Sequence, residues 1–127
     1  MAAVKGKDTK PELRVRRFLH GRGMRYRLHY KQLAGKPDLV FLGRKCVVFV
    51  HGCFWHGHEN CKDFRVPKSR SEWWAEKIGK NVERDKRNSH ALVSGGWRVL
   101  TIWECQLSDE NLTKLAKAIE TNVNFNP

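Results

Sequence analysis

Apolar and polar positions along this chain recur with two different periods, and each change of period marks a new element. In "TKPELRVRRFLHGRG", Leu13, Val15, Phe18 and Leu19 supply the apolar side of a helix. Thr9 and Glu12 stand at the Thr-x-x-Glu spacing of a capping box, Pro11 suits a first turn, and Gly21 or Gly23 ends the helix. "MRYRLHY" then alternates, with Met24, Tyr26, Leu28 and Tyr30 on one face and Arg25, Arg27 and His29 on the other. That pattern predicts a half-buried strand with a basic outer face. In "PDLVFLGRKCVVFVH", Leu39 to Leu42 and Cys46 to Val50 are continuously apolar, as central strands are, around a tight turn at Gly43-Arg44. Residues 69–96 read as a long helix, opened by a second capping box at Ser69 and Glu72 and stopped by Gly95-Gly96. "WRVLTIW" is another strand, and Ser108 caps a last helix carrying Leu112, Leu115, Ala116 and Ile119. The order α-β-β-β-α-β-α predicts an α/β fold: a mixed sheet flanked by helices, in one domain over residues 1–127. Residues 1–8 are expected to form a short, flexible N-terminal arm.

Charge narrows the class of partner. Twenty-five Lys and Arg against thirteen Asp and Glu leave a net charge of +12. Such a balance points to a polyanion, most often nucleic acid, ahead of an acidic protein or membrane headgroups. Lys5, Lys7, Lys10, Arg14, Arg16, Arg17, Arg22, Arg25, Arg27, Lys31 and Lys36 all lie in the first 36 residues, against only Asp8 and Glu12. Residues 104–120 are mildly acidic and read as a solvated edge. No run of eighteen apolar residues could span a membrane, and "MAAVKGKDTK" lacks the apolar core of a secretory signal. Cysteines mixed with clustered histidines favour metal in a reducing, cytoplasmic compartment over disulfides.

The chemistry concentrates in "FVHGCFWHGHENC", which interleaves three His and two Cys with a Phe-Trp pair. Cys53, His58 and Cys61 have a spacing that lets one loop surround a tetrahedral ion. Cys105, just past the last strand, is the expected fourth ligand, because strand ends of one sheet lie close together. A closed Cys3His set is structural, since it leaves no position open for substrate. Cys46, inside an apolar strand, reads as a buried core residue. Asp38 stands at the mouth of a strand, and a hairpin brings it beside Val50-His51. A carboxylate next to a backbone carbonyl offers the hard oxygen ligands that suit Mg2+. His51 and His56 supply groups that titrate near neutrality, fit for general acid-base work. Glu12 offers a second carboxylate besides its capping role. Of Phe54, Trp55, Trp73 and Trp74, two are expected in the core and the others as wedges between base steps.

These segments together resemble the very-short-patch repair (Vsr) mismatch endonucleases. The likeness runs through "KGKDTKPELRVRRFL", "GKPDLVF", "VVFVHGCFWHGH", "WWAEKIGKNVERD" and "GWRVLTIWEC", nearly the whole chain. It implies a restriction-endonuclease-like fold in which Phe49-Val50-His51 stands where that fold commonly carries an (Asp/Glu)-x-Lys motif. It implies Asp38 and the Val50 carbonyl as Mg2+ ligands, with two catalytic ions. His56 is then the general base, His51 the support for transition-state charge, and Glu12 an aid through the metal's water shell. Cys53, His58, Cys61 and Cys105 match the ligands of one structural Zn2+, and Phe54, Trp55 and Trp74 the residues that intercalate beside the mismatch. The implied reaction is hydrolysis of one phosphodiester 5′ of the T in a T:G mismatch, the product of 5-methylcytosine deamination. The resemblance further implies a monomeric bacterial protein that meets DNA at the nucleoid and works with MutL-type mismatch-repair proteins and a repair DNA polymerase. In one respect the chain departs from the family. Only residues 1–8 precede the first helix, where the family commonly has a longer arm reaching the minor groove. The competing readings are a relative that nicks other mismatches or structured DNA, and a zinc-stabilised DNA-binding module without catalysis. A pure binder would have no need of Asp38, His51 and His56 converging at one point.

Overall fold

The computed structural model describes residues 9–28, 30–59, 61, 65–123 and 125. The expected arm at residues 1–8 and His29 of the first strand lie outside the described residues. The elements, in chain order, are α1 (Lys10–Gly21), β1 (Arg27–Leu28), β2 (Leu39–Phe41), β3 (Cys46–His51), α2 (Ser71–Ser94), β4 (Arg98–Trp103) and α3 (Asp109–Thr121). The strands form one sheet in the order β1-β2-β3-β4. Pairing is antiparallel from β1 to β3 and parallel between β3 and β4. The mixed α/β architecture and its element order are as the sequence predicts.

Each face of the sheet carries its own apolar layer. On one side Leu39, Phe41, Cys46, Val48, Leu100 and Ile102 pack against Val15 and Leu19 of α1 and Leu112, Leu115 and Ile119 of α3. Truncating a fully buried member such as Ile102 to Ala would cost about 2–5 kcal/mol. On the other side Val40, Val47 and Phe49 meet Leu92 of α2, with Leu33 and Trp97 at the margin. Cys46 is wholly buried in the first layer, as its apolar neighbours imply.

The helix ends separate right expectations from wrong ones. Thr9 accepts from the Glu12 N–H and Glu12 accepts from the Thr9 N–H, so the first capping box forms. Ser108 caps α3 through the Asn111 N–H. The second capping box does not form: α2 starts at Ser71, after Arg70 in a left-handed conformation (φ 58°), with no side-chain cap. The chain turns sharply at Arg70 before the helix begins, which leaves Ser69 outside the capping position. The first strand is also shorter than the alternation suggests. Met24 is buried and Tyr26 half-buried, but only Arg27 and Leu28 pair, because the partner strand β2 has just three residues. In the β2–β3 connection Leu42–Arg44 form a 3-10 turn, and the left-handed residue is Lys45 (φ 52°), not Gly43. The acidic segment near the C-terminus is only partly a solvated edge. Asp109 pairs with Arg14 at 2.6 Å and Glu120 with Arg22 at 3.0 Å, tying α3 to the α1 region.

Candidate active site

The sheet's topology gathers the chemistry at one end. β2 runs antiparallel to β3, so Asp38, just before Leu39, falls beside the last residues of β3. The Val50 N–H donates to Asp38 Oδ2 at 2.6 Å. β3 and β4 are parallel with His51 in register with Trp103, so Cys53 and Cys105 leave the sheet side by side, each two residues farther on. The connecting loop is tightly wound: the N–H groups of His56, Gly57 and His58 donate back to Gly52, Phe54 and Cys53 carbonyls. Gly57 takes φ 60°, a left-handed turn that separates His56 from His58.

Two groups of donors result. In the first, the donor atoms of Cys53, His58, Cys61 and Cys105 all lie within 4.8 Å of one another, with Cys105 Sγ 3.4 Å from His58 Nδ1. A tetrahedral ion with Zn–S bonds of about 2.3 Å spaces its sulfurs about 3.8 Å apart, so the set fits one ion with no position left over. Burial first, and then the neighbouring thiols of Cys105 and Cys61, push the Cys53 thiol up to about 12. Burial raises Cys105 as well. Thiols so placed become thiolates only with a cation between them, which is what a metal supplies.

The second group is made of oxygens and imidazoles. Glu12, with 5% of its surface exposed, faces Asp38. Burial, then the Glu12 carboxyl, push Asp38 up to about 8, against the lowering effect of the Val50 N–H. Arg16 stands 3.4 Å from Glu12 as a counter-charge, and the two carboxyls, pressed together and away from water, offer all-oxygen donors that suit a hard cation. Beside them His51 and His56 stack with ring centroids 3.8 Å apart and planes 3° from parallel. His56 Nδ1 lies 2.6 Å from Asp85 Oδ2. Burial first, then His56, lower His51 to about 4 and hold it neutral. His51, His56 and Asp85 also bring donors within 4.8 Å of each other. Parallel rings cannot share an ion, however. Nitrogen lone pairs lie in the ring planes, and an ion midway would sit about 1.9 Å out of each, nearly a whole Zn–N bond length. The three form a hydrogen-bonded and stacked unit, not a metal cage.

The aromatic residues complete the wall. Phe54, Trp55 and Trp74 meet pairwise at 5.1 to 5.7 Å, all half-buried. Trp73 beside them is 44% exposed, so none of the four belongs to the core. The Asn81 side-chain amide donates to the Trp55 carbonyl at 3.0 Å, fastening the loop to α2. A cleft of about 1240 Å³ opens between the carboxylates, the histidine pair and these rings, with Lys36, Arg70 and Arg84 on its rim. That is larger than most small-molecule pockets and open enough for a polymer.

All the site residues singled out from the sequence therefore meet at one end of the sheet, in or beside this cleft. Sequence reasoning missed Asn81, Asp85 and Asn88, and the signal was there. Trp74, Ile78, Asn81, Asp85, Asn88 and Leu92 recur every three or four residues along α2. Ile78 and Leu92 are buried, so the polar residues between them sit on the helix's inward stripe, where polar side chains need a reason.

Comparison with known proteins shows the family. The family model described as DNA mismatch endonuclease Vsr matches residues 1–63. The type II nicking enzyme V.XorIIP of Xanthomonas oryzae is 52% identical, over 86% of this chain and 79% of its own. The DNA mismatch endonuclease Vsr of Escherichia coli is 48% identical, over 90% and 76%. The type II nicking enzyme V.NmeAIP of Neisseria meningitidis is 44% identical, over 97% and 91%. With likeness at this level across most of both chains, the protein belongs to the Vsr family of DNA mismatch endonucleases.

Proposed function

We propose that this endonuclease is a Mg2+-dependent nickase that cuts one strand 5′ of the T in T:G mismatches left by 5-methylcytosine deamination. The observation that carries the reading is the convergence in one cleft of a buried carboxylate pair, a histidine stack with its own carboxylate, and three aromatic rings. A non-catalytic DNA-binding module has no use for the first two. The mixed sheet with Asp38 at a strand mouth is consistent with a restriction-endonuclease-like core.

In this reading Asp38 and the Val50 carbonyl hold Mg2+, with Glu12 contributing through water. The Val50 N–H points at Asp38, and in a strand a residue's carbonyl points to the same side as its N–H, which supports the carbonyl as a ligand. Bound there, Mg2+ supplies charge neutralisation at the attacking and leaving oxygens. With Asp85 accepting from Nδ1–H, the Nε2 lone pair of His56 is the basic position, and it takes the proton of the water that attacks phosphorus. The bond from phosphorus to the leaving sugar oxygen then breaks, and that oxygen takes a proton from water in the open cleft and departs as a hydroxyl. Neutral His51 offers an N–H to the developing charge. Phe54, Trp55 and Trp74 hold the mismatched step unstacked, which costs less there than at a paired step. Cys53, His58, Cys61 and Cys105 hold Zn2+, and that ion keeps the wedge loop in place. The protein acts as a monomer on the mismatched duplex, and its nick passes to MutL-type proteins and a repair polymerase.

The test is a nicking assay on labelled duplexes carrying T:G, other mismatches or T:A, with Mg2+ or EDTA. Cutting confined to the T strand of T:G and dependent on Mg2+ is expected. Equal cutting of matched duplex, or cutting in EDTA, contradicts the proposal.

A further inference from the structure

Between the two donor groups stands Trp103, the last residue of β4, which neither of them uses as a ligand. One face of its indole stacks on His58, with centroids 4.1 Å apart and planes 7° from parallel. Its edge meets His51 at 5.0 Å and 77°. His51 in turn stacks on His56 at 3.8 Å and 3°. The four rings form one continuous series, from a member of the sulfur-nitrogen cluster to the base that Asp85 holds.

The backbone dictates the series. Trp103 and His51 are register partners on adjacent parallel strands, so their side chains leave the same face of the sheet. His58 reaches the indole because the wound loop returns it over the strand ends, where its Nδ1 faces Cys105.

What makes the contact consequential is the way His51 is held. Its Nδ1 is buried and makes no hydrogen bond among the described residues. With no bond at Nδ1, the plane of this ring rests on its packing against Trp103, His56 and, at 5.6 Å, Phe49. His56 is tethered through one nitrogen, which fixes a point of the ring and leaves its tilt to the stack. Edge-to-face contacts at these separations are favourable and directional.

We propose that Trp103 is a positioning residue, through which the Cys3His cluster fixes the planes of His51 and His56 and so aims the base at its water. This rests on the assignment of His51 and His56 to the reaction. It adds a role for the cluster beyond holding the loop: the ion orients His58, His58 orients the indole, and the indole orients the histidine pair. A small tilt of a general base costs rate more than affinity, since it displaces the reacting geometry and removes no group that holds the duplex.

The experiment uses the full chain with its bound metal, comparing Trp103→Leu, Trp103→Phe and Asp38→Ala on a T:G duplex. Three quantities are read: kcat and KM, metal per chain by mass spectrometry, and proton resonances of the histidine ring CH groups. Trp103→Leu should lower kcat by roughly 10²-fold, with KM and metal content as in the parent. Trp103→Phe should restore most of kcat, because it returns a ring to both neighbours. The His51 and His58 ring resonances should move in both variants as the indole's ring current is lost, and those of His56 should follow. Unchanged kcat in Trp103→Leu overturns the proposal, and so does a loss of kcat matched by loss of metal. Should Trp103→Leu fail to fold, Trp103→Phe decides: unaltered His51 and His56 resonances overturn it. Asp38→Ala separates the two levels. If that variant cuts normally, the reading of the site fails. If it is inactive while Trp103→Leu runs at full speed, only the role of Trp103 fails.

Discussion

The sulfur-nitrogen cluster and the carboxylate cleft lie at the same end of one sheet, yet they are opposite kinds of site. Cys53, His58, Cys61 and Cys105 are soft donors that close on themselves. Glu12 and Asp38 are hard donors facing an open cleft with a histidine pair beside it. A closed set can only hold shape, whereas an open one can admit a reacting group. The difference teaches that metal-ligand residues in one short stretch need not share one ion or one task.

Variants of the open site should have the largest effects. Asp38→Ala removes the carboxylate to which the proposed mechanism assigns cation binding, a role worth several kcal/mol of transition-state stabilisation. Nicking should then fall by about 10³-fold or more, while a gel-shift assay still finds the duplex bound. His56→Ala should cost roughly 10²–10⁴-fold in kcat. Asp85→Asn, which leaves the ring and loosens only its tether, should cost less than His56→Ala in the same assay. An Asp85→Asn variant as impaired as His56→Ala would mean that Asp85 does more than hold the ring.

The closed site predicts a different signature. Cys105→Ser should lower bound metal per chain and the thermal midpoint together, the latter by about 5 °C for a loss of roughly 1–2 kcal/mol. Full metal occupancy in that variant would remove Cys105 from the ligand set. The smallest effect on either donor set comes from the cleft wall and sharpens the contrast. Gly35 has φ +74°, and a Cβ there would lie 2.9 Å from the Asn88 Cβ on α2. Gly35→Ala should destabilise the fold by about 1–3 kcal/mol by denaturant unfolding, and leave metal content unchanged.

The same contrast explains what could be read from the sequence. The closed cluster was legible because three of its donor residues fall within nine positions, Cys53 to Cys61, and the fourth follows the next strand. Asp38 and Val50 were legible because a hairpin is a local structure whose register follows from its length. Asp85 was not, since its distance of 29 positions from His56 is bridged only by the placement of α2 against the sheet. The inward stripe on α2 carried the information, but a polar residue on a long basic helix looks like any solvated one until the buried positions are known. Trp103 was hidden for the opposite reason. An aromatic residue ending a strand looks like ordinary core, and its half-buried position between two sets of rings depends on the β3–β4 register. The failed cap at Ser69 and the exposed Trp73 show the same limit. Local motifs forecast local bonds, and the loop after β3 with the start of α2 is arranged by tertiary contacts.

The division of labour between the two sites is tested most directly by separating their metals in one sample. The protein, purified with its tightly held metal, is exchanged into buffer with a weak chelator and assayed on a T:G duplex before and after Mg2+ is added. Metal per chain is measured at each step. The account predicts that nicking vanishes and returns with Mg2+ while the cysteine-bound metal stays at one per chain. Nicking that persists without Mg2+, or that follows occupancy of the cysteine cluster instead, would contradict it.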